Sequence, residues 1–224
     1  MSHSSVTLRD PHKYCNAWPA PSPGWSADDW AKVLWSDEST FCQFWTPISM
    51  VRRPVNQRYA QRYVIPTVKH SPKVMVWAWA GFSAYGRGPL YFIPKGQTVN
   101  ADLYLTILKE KIPLTLQLYR CSIFQQDSAP AHTSRKVMEW FDQSGIEVLE
   151  WPGNSPDLNP IENLWQIMKR KVRLHHPKSM QDLIFYLKRV WCTEISEDLC
   201  KKLVHSMPSR IKTVLKNKGE MSKY

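Results

Sequence analysis

Apolar runs and the residues that break them divide the chain into short strands first and helices last. Residues 73–80, Lys73-Val-Met-Val-Trp-Ala-Trp-Ala, and 90–93, Leu90-Tyr-Phe-Ile, read as strands, with Gly86, Gly88 and Pro89 making the turn between them. An earlier strand runs through Val33-Leu-Trp, and Phe41-Cys-Gln-Phe-Trp is its expected hairpin partner. Asn100 caps a helix on which Leu103, Ile107 and Leu108 recur at helical spacing. The run Cys121-Ser-Ile-Phe-Gln-Gln-Asp is a strand stopping on Asp127, and Glu147-Val-Leu-Glu-Trp a short strand closed by Pro152-Gly. Between them, Thr133 or Ser134 caps a helix carrying Val137, Met138, Trp140 and Phe141. Pro160 opens a helix with Leu164, Trp165, Met168 and Val172 on one face, and helices follow at about 179–192 and 197–204. Strands, then alternating strand and helix, then helices make an α/β chain with a mixed sheet.

Two stretches resist this pattern. Residues 1–24 are rich in Ser, Pro and His, and their prolines exclude a regular helix or central strand, so they read as a poorly structured lead-in. Ser26 then caps a short helix with acids in its first turn. Residues 46–73 are polar and basic, with Arg52, Arg53, Arg58, Arg62 and Lys69 interleaved with Tyr59 and Tyr63, the character of a long functional loop or ribbon. The 224 residues are enough for one large domain or two small ones with a sizeable core, and 25–224 is expected to be a single domain after the lead-in.

Charge sharpens this picture. Of a net charge of +11, the stretch from Lys169 onward supplies 14 Lys and Arg against 5 Asp and Glu. That excess points to a polyanion such as nucleic acid; a solvated helical tail is the plain alternative. Lys169, Arg170, Lys171 and Arg173 form the densest cluster, a phosphate-contacting face, a nuclear import signal or a solvated helix face. Five cysteines, odd in number and without a Cys-x-x-Cys pair, argue against a disulfide framework or a zinc finger and fit a reducing, intracellular compartment. No run of eighteen apolar residues occurs, so no membrane span is expected, and the N-terminus lacks the apolar core of a signal peptide.

Three carboxylates carry the chemistry. Asp37 ends Lys32-Val-Leu-Trp-Ser-Asp, Asp127 ends the strand from Cys121, and Glu162 lies just inside the helix opened by Pro160. Each has a structural explanation by itself. Asp37 suits a turn, Asp127 an Asx-turn, and Glu162 the N3 position of a capping box behind Asn159. Together they suggest a different role. Acids at the ends of neighbouring strands converge at one sheet edge, and a helix starting there adds a third. Clustered carboxylates repel unless a cation neutralises them, so the set fits two Mg²⁺ or Mn²⁺ ions promoting in-line displacement at phosphorus. His132 could approach the scissile phosphate, though a turn histidine bonding backbone is the simpler reading. Asn163 could contact the site or sit exposed on its helix, and Asp157 could brace the Glu162 loop. Trp35, Trp77, Trp140 and Trp165 fall at apolar positions and are expected in the core.

The segments Trp30-Ala-Lys-Val-Leu-Trp-Ser-Asp-Glu-Ser, Phe124-Gln-Gln-Asp-Ser-Ala-Pro-Ala-His-Thr and Val148-Leu-Glu-Trp-Pro-Gly-Asn-Ser-Pro-Asp-Leu-Asn-Pro-Ile-Glu-Asn-Leu-Trp resemble the Tc/mariner superfamily of DNA transposases, on its Tc-like side. The similarity runs from about Trp25 to the C-terminus, and the 34 residues between Asp127 and Glu162 suit the branch whose third acid is glutamate. The resemblance implies an RNase H-like mixed sheet flanked by helices, with Asp37 on the first strand, Asp127 on the fourth and Glu162 on a following helix. It implies two magnesium ions, cleavage of DNA at transposon ends, and strand transfer by the freed 3′-hydroxyl into TA sites. Residues 46–73 would match the family's clamp loop, which contributes to DNA contacts and to a homodimer. The substrate is then DNA in the nucleus, with no small molecule and no membrane involved. Two departures qualify the resemblance. The family's paired helix-turn-helix region has no counterpart here, and Lys69-His-Ser-Pro-Lys places Pro72 where the family has a glycine-rich turn. The expectation is therefore an isolated, truncated or domesticated catalytic domain, with an inactive nucleic-acid-binding module or an inert relic as alternatives.

Overall fold

A computed structural model of the chain describes residues 24–42, 75–151, 155 and 158–216. The expected lead-in, the basic stretch with Arg52, Arg53, Arg58, Arg62 and Lys69, and Asp157 lie outside these residues.

Five strands form one mixed sheet: β1 (Val33–Cys42), β2 (Met75–Ser83), β3 (Gly86–Phe92), β4 (Ile123–Gln125) and β5 (Glu147–Val148), in the order β3-β2-β1-β4-β5. Strands β1, β2 and β3 pair antiparallel, whereas β4 lies parallel to β1 and β5 parallel to β4. Among the described residues, seven helices flank the sheet: α1 (Ala27–Ala31), α2 (Ala101–Leu118), α3 (Arg135–Ser144), α4 (Pro160–Arg173), α5 (Met180–Glu194), α6 (Glu197–Val204) and α7 (Met207–Lys216). This is the mixed, helix-flanked sheet that the sequence predicts.

Alternation along β1 assigns its side chains to two cores. Val33, Trp35 and Phe41 join the larger cluster, built with α1 and α4 to α7, whereas Leu34 joins Trp79, Tyr104, Phe124 and Phe141 beneath α2 and α3. The same alternation sends Asp37 and Glu38, adjacent in sequence, to opposite faces.

Several local expectations are corrected. Phe41 and Cys42 are the end of β1 itself, not a separate hairpin strand, because β1 stays paired with β2 as far as Met75. The β2–β3 turn is Ala84-Tyr85, so Gly88 and Pro89 lie inside β3. Helix α2 continues beyond the predicted segment and through Pro113, whose missing N–H removes one internal hydrogen bond. Trp77, expected in the core, is 41% exposed near the start of β2. Helix α7 escapes a periodicity reading because Pro208 looks like a breaker, yet it sits in the first turn, where proline is tolerated.

Gly88 illustrates how closely β3 meets β2. A Cβ there would stand 2.7 Å from the Gly81 carbonyl oxygen, beside the irregularity in pairing between Ala80 and Phe82, and the Gly88 carbonyl also accepts the Trp191 indole N–H at 3.1 Å. Gly88→Ala is expected to cost about 1–3 kcal/mol, read as a lowered melting temperature. An unchanged melting curve would mean that the strands separate there without cost.

Candidate active site

Asp37 is half-buried in β1, opposite Ala80 of β2. Helix α4 is fastened to this part of β1 at two points. Asn159, its buried N-cap, donates from Nδ2 to the Ser36 carbonyl at 3.4 Å and accepts from Ile161 N at 3.3 Å. One turn later, Trp165 Nε1 donates to Asp37 Oδ2 at 3.3 Å. Glu162 lies between these points, at N3, where a capping-box glutamate would turn back to the cap. Its carboxyl instead bears on Asp37, whose own carboxyl it pushes upward by its charge. Pro160 presets the first turn and offers no N–H of its own, which suits a helix entering at a packed strand.

The electrostatics record the crowding. Burial, followed by the negative charges of Glu38, Glu162 and Asp127, holds the Asp37 carboxyl well above the usual carboxylate range. Burial also raises Glu162, with Lys169 working against it. Lys169 stands two helical turns after Glu162 on the same face, with Nζ 5.5 Å from the Phe41 ring centroid. Its pKa is lowered by burial in spite of the attraction of Glu162 and Asp37.

Asp127 lies two residues beyond β4, not on it, and half of its side chain is exposed. Both of its hydrogen bonds fall on Oδ1, from Ala129 N at 2.9 Å and from His132 Nδ1 at 2.6 Å. The first closes the Asx-turn that the sequence allows. The second differs from the simpler expectation for His132: its ring is only 5% exposed and its Nε2 also reaches Glu38 Oε1, at 3.2 Å. Burial works to lower the pKa of His132, but hydrogen bonds to Asp127 and Glu38, reinforced by their charges, raise it to about 9. Both ring nitrogens are then donors at neutral pH. The bond from His132 in turn holds Asp127 below its ordinary value.

The other predicted residues separate. Asn163 does not face the site; its Oδ1 accepts from Arg210 Nη2 at 2.6 Å, beneath α7. Lys171 is paired with Glu194 at 2.9 Å, whereas Arg170 and Arg173 are exposed. Sequence reasoning missed Glu38 and Trp165 as partners of the acids. A charged residue at an inward-pointing strand position, directly after Asp37, was the available sign of the first.

The donor set suits a hard cation. Asp37 on β1 and Glu162 on α4 are joined by Asp127 from the loop after β4, and the charges of Glu162 and Asp127 both bear on Asp37. Among the described residues, no three such side chains yet stand at ligating distance of one point. The fit is one of chemistry and placement.

Comparison with known proteins places the chain in a family. The family model described as DDE superfamily endonuclease matches residues 32–184, a span that contains all three acids. The Tcb1 transposase of Caenorhabditis briggsae is 38% identical over 211 residues, which are 92% of this chain and 76% of that protein. The Tc1 transposase of Caenorhabditis elegans is 38% identical over 212 residues, 93% of this chain and 76% of that protein. Among solved structures, the catalytic domain of Mos1 mariner transposase superposes with a TM-score of 0.64 at 20% identity, covering 87% of this chain and 85% of that one. A Mos1 mariner paired-end complex with Mn gives a TM-score of 0.65 at 21% identity, covering 85% of this chain but 56% of that one. At these identities the structural likeness concerns the fold.

Proposed function

The chain belongs to the DDE superfamily endonucleases, among the Tc/mariner transposases, and from that membership we propose that it cuts and rejoins DNA at a divalent-metal site held by Asp37, Asp127 and Glu162. One observation supports the assignment of residues: Glu162, 125 positions from Asp37, is carried by α4 onto β1, and its charge and that of Asp127 both bear on the Asp37 carboxyl. Nothing in packing alone favours three acids there.

The residues divide the work. Asp37 from β1, Glu162 from α4 and Asp127 from the loop after β4 would supply hard oxygen donors for Mg²⁺ or Mn²⁺, and we assign two ions to the site. Bound divalent cations supply Lewis acidity at the phosphoryl oxygens of an in-line displacement. The Trp165 indole holds one oxygen of Asp37 and shields that carboxylate from water on the core side. Lys169 presents a positive charge beside Glu162, where it can meet a phosphate oxygen of the scissile strand. Arg170 and Arg173, exposed on the last turn of α4, extend the positive surface outward from the site. Support for DNA as partner, at transposon ends and at the insertion target, comes from the transposase relatives and from the Mos1 paired-end complexes. We extend the same reading to strand transfer by a 3′-hydroxyl into TA sites, to a homodimer, and to the nucleus as the place of work.

The test is nicking of supercoiled plasmid by the purified chain with Mg²⁺ or Mn²⁺, with and without EDTA. Cleavage is expected with either ion and none with chelator. Salt-sensitive DNA binding with no divalent-dependent cleavage would instead identify a binding module that has lost turnover.

A further inference from the structure

Glu38 and His132 are used by none of the chemistry above, yet they are buried together against Asp127. We infer that they are positioning residues, a carboxylate–imidazole brace that ties the loop after β4 to β1 and aims the free oxygen of Asp127 toward Asp37. The inference rests on the reading of Asp127 as a metal ligand and adds what holds that ligand in place.

The geometry is that of a strut. His132 spans from Glu38 Oε1, at 3.2 Å from Nε2, to Asp127 Oδ1, at 2.6 Å from Nδ1. Glu38 stands on the face of β1 opposite Asp37, so the strut reaches Asp127 from behind the metal-facing side. The ring cannot readily swing away. Tyr104 stacks on it with centroids 3.9 Å apart and planes 26° apart, and the Tyr104 hydroxyl donates to Gln126 Oε1 at 2.9 Å. Gln126 in turn donates from Nε2 to the His132 carbonyl at 3.2 Å, so backbone and ring of His132 are both held. Because the imidazole and the Ala129 N–H both take Oδ1, Oδ2 is the oxygen of Asp127 left for a cation. A ligand oriented by such a second layer of bonds binds its metal more tightly than a free-swinging one.

The experiment is calorimetric titration of Mn²⁺ into the wild-type chain and into Asp127→Asn, Glu38→Ala, Glu38→Gln, His132→Ala and Glu38→Ala/His132→Ala, each followed by thermal melting. Asp127→Asn should lose most Mn²⁺ affinity. Glu38→Ala should weaken it roughly 10- to 100-fold. Glu38→Gln should restore most of that loss, because its amide oxygen still accepts from His132, whereas a role through charge alone would fail in Gln as in Ala. The double variant should bind no more weakly than His132→Ala, since both act through one strut. If His132→Ala does not fold, the Ala and Gln variants at Glu38 decide alone. Wild-type affinity in Glu38→Ala beside a dead Asp127→Asn overturns the brace and leaves the ligand assignment standing. Wild-type affinity in Asp127→Asn overturns both.

Discussion

Asp37→Asn is expected to abolish divalent-dependent cleavage, by about 10³-fold or more, and at the same time to make the metal-free protein melt higher. The loss follows from removing one hard ligand from a site whose Lewis acidity lowers the barrier by several kcal/mol; three decades of rate correspond to roughly 4 kcal/mol. The gain follows from the crowding around Asp37. Burial and the charges of Glu38, Glu162 and Asp127 keep its carboxyl protonated in the folded chain at pH values where the unfolded chain has ionised. The stability this group contributes is therefore complete below the unfolded carboxylate pKa, about 3.9, and is lost as pH rises through the folded value. In EDTA, the wild-type melting temperature should fall with rising pH through that window, and Asp37→Asn should have a flatter profile. Glu162, raised by burial, leaves a residual slope of the same sign, whereas Asp127, lowered by His132, contributes the opposite sign at lower pH. The difference between variant and wild type reports Asp37 together with its coupling to the neighbouring acids. Each kcal/mol recovered should appear as about 2–4 °C in a domain of this size. Cleavage within tenfold of wild type, or a variant that melts lower at neutral pH, would sink the assignment.

Asp127 and Glu162 were legible in the sequence because they sit where elements stop or start, and such boundaries leave local marks. Asp37, expected at the end of its strand, lies in the middle of β1, which stays paired with β2 to Cys42. Asn159-Pro160 announces the start of α4, and with it the depth at which Glu162 enters the sheet edge. What could not be read was which of two good partners Glu162 would choose. A cap interaction is local and visible; an approach to Asp37 depends on the docking of α4 on β1, which Asn159 and Trp165 set through contacts 123 and 128 residues away. His132 was misjudged for a related reason. The parallel pairing of β4 with β1 brings it to Glu38, 94 residues distant, whereas its neighbours in sequence suggest only a turn.

Charge was the least legible feature. The basic C-terminal quarter reads as a surface for polyanions, and Arg170 and Arg173 are placed for that. Arg210 is 2% exposed and bonded to Asn163 and Ser206, and Lys171 is paired with Glu194. These cations hold α4, α5 and α7 together. Net charge counts residues without regard to direction, and only the packing of the helices decides which of them face a partner.

Trp165 joins the fold to the site, and two substitutions there should separate its roles. The indole is fully buried, in edge contact with Phe41 at 5.6 Å between centroids and stacked near Trp191 at 6.2 Å, while its N–H reaches Asp37. Trp165→Ala removes the largest side chain at the junction of β1, α4 and α5 and is expected to cost about 3–5 kcal/mol. Against a total stability on the order of 5–15 kcal/mol, that is enough to unfold a sizeable fraction of the protein near physiological temperature. Trp165→Phe retains most of the apolar contact and loses the donor. Its destabilisation should be much smaller, yet cleavage should fall, because Asp37 loses the bond that fixes one oxygen and α4 loses one of its two fastenings to β1. Thermal melting and plasmid nicking on the same preparations read the two effects. A Phe variant that cleaves like wild type would mean that the N–H does not position Asp37. An Ala variant melting within about 2 °C of wild type, less than 1 kcal/mol, would mean that the indole is not part of the core that carries Glu162 to the sheet.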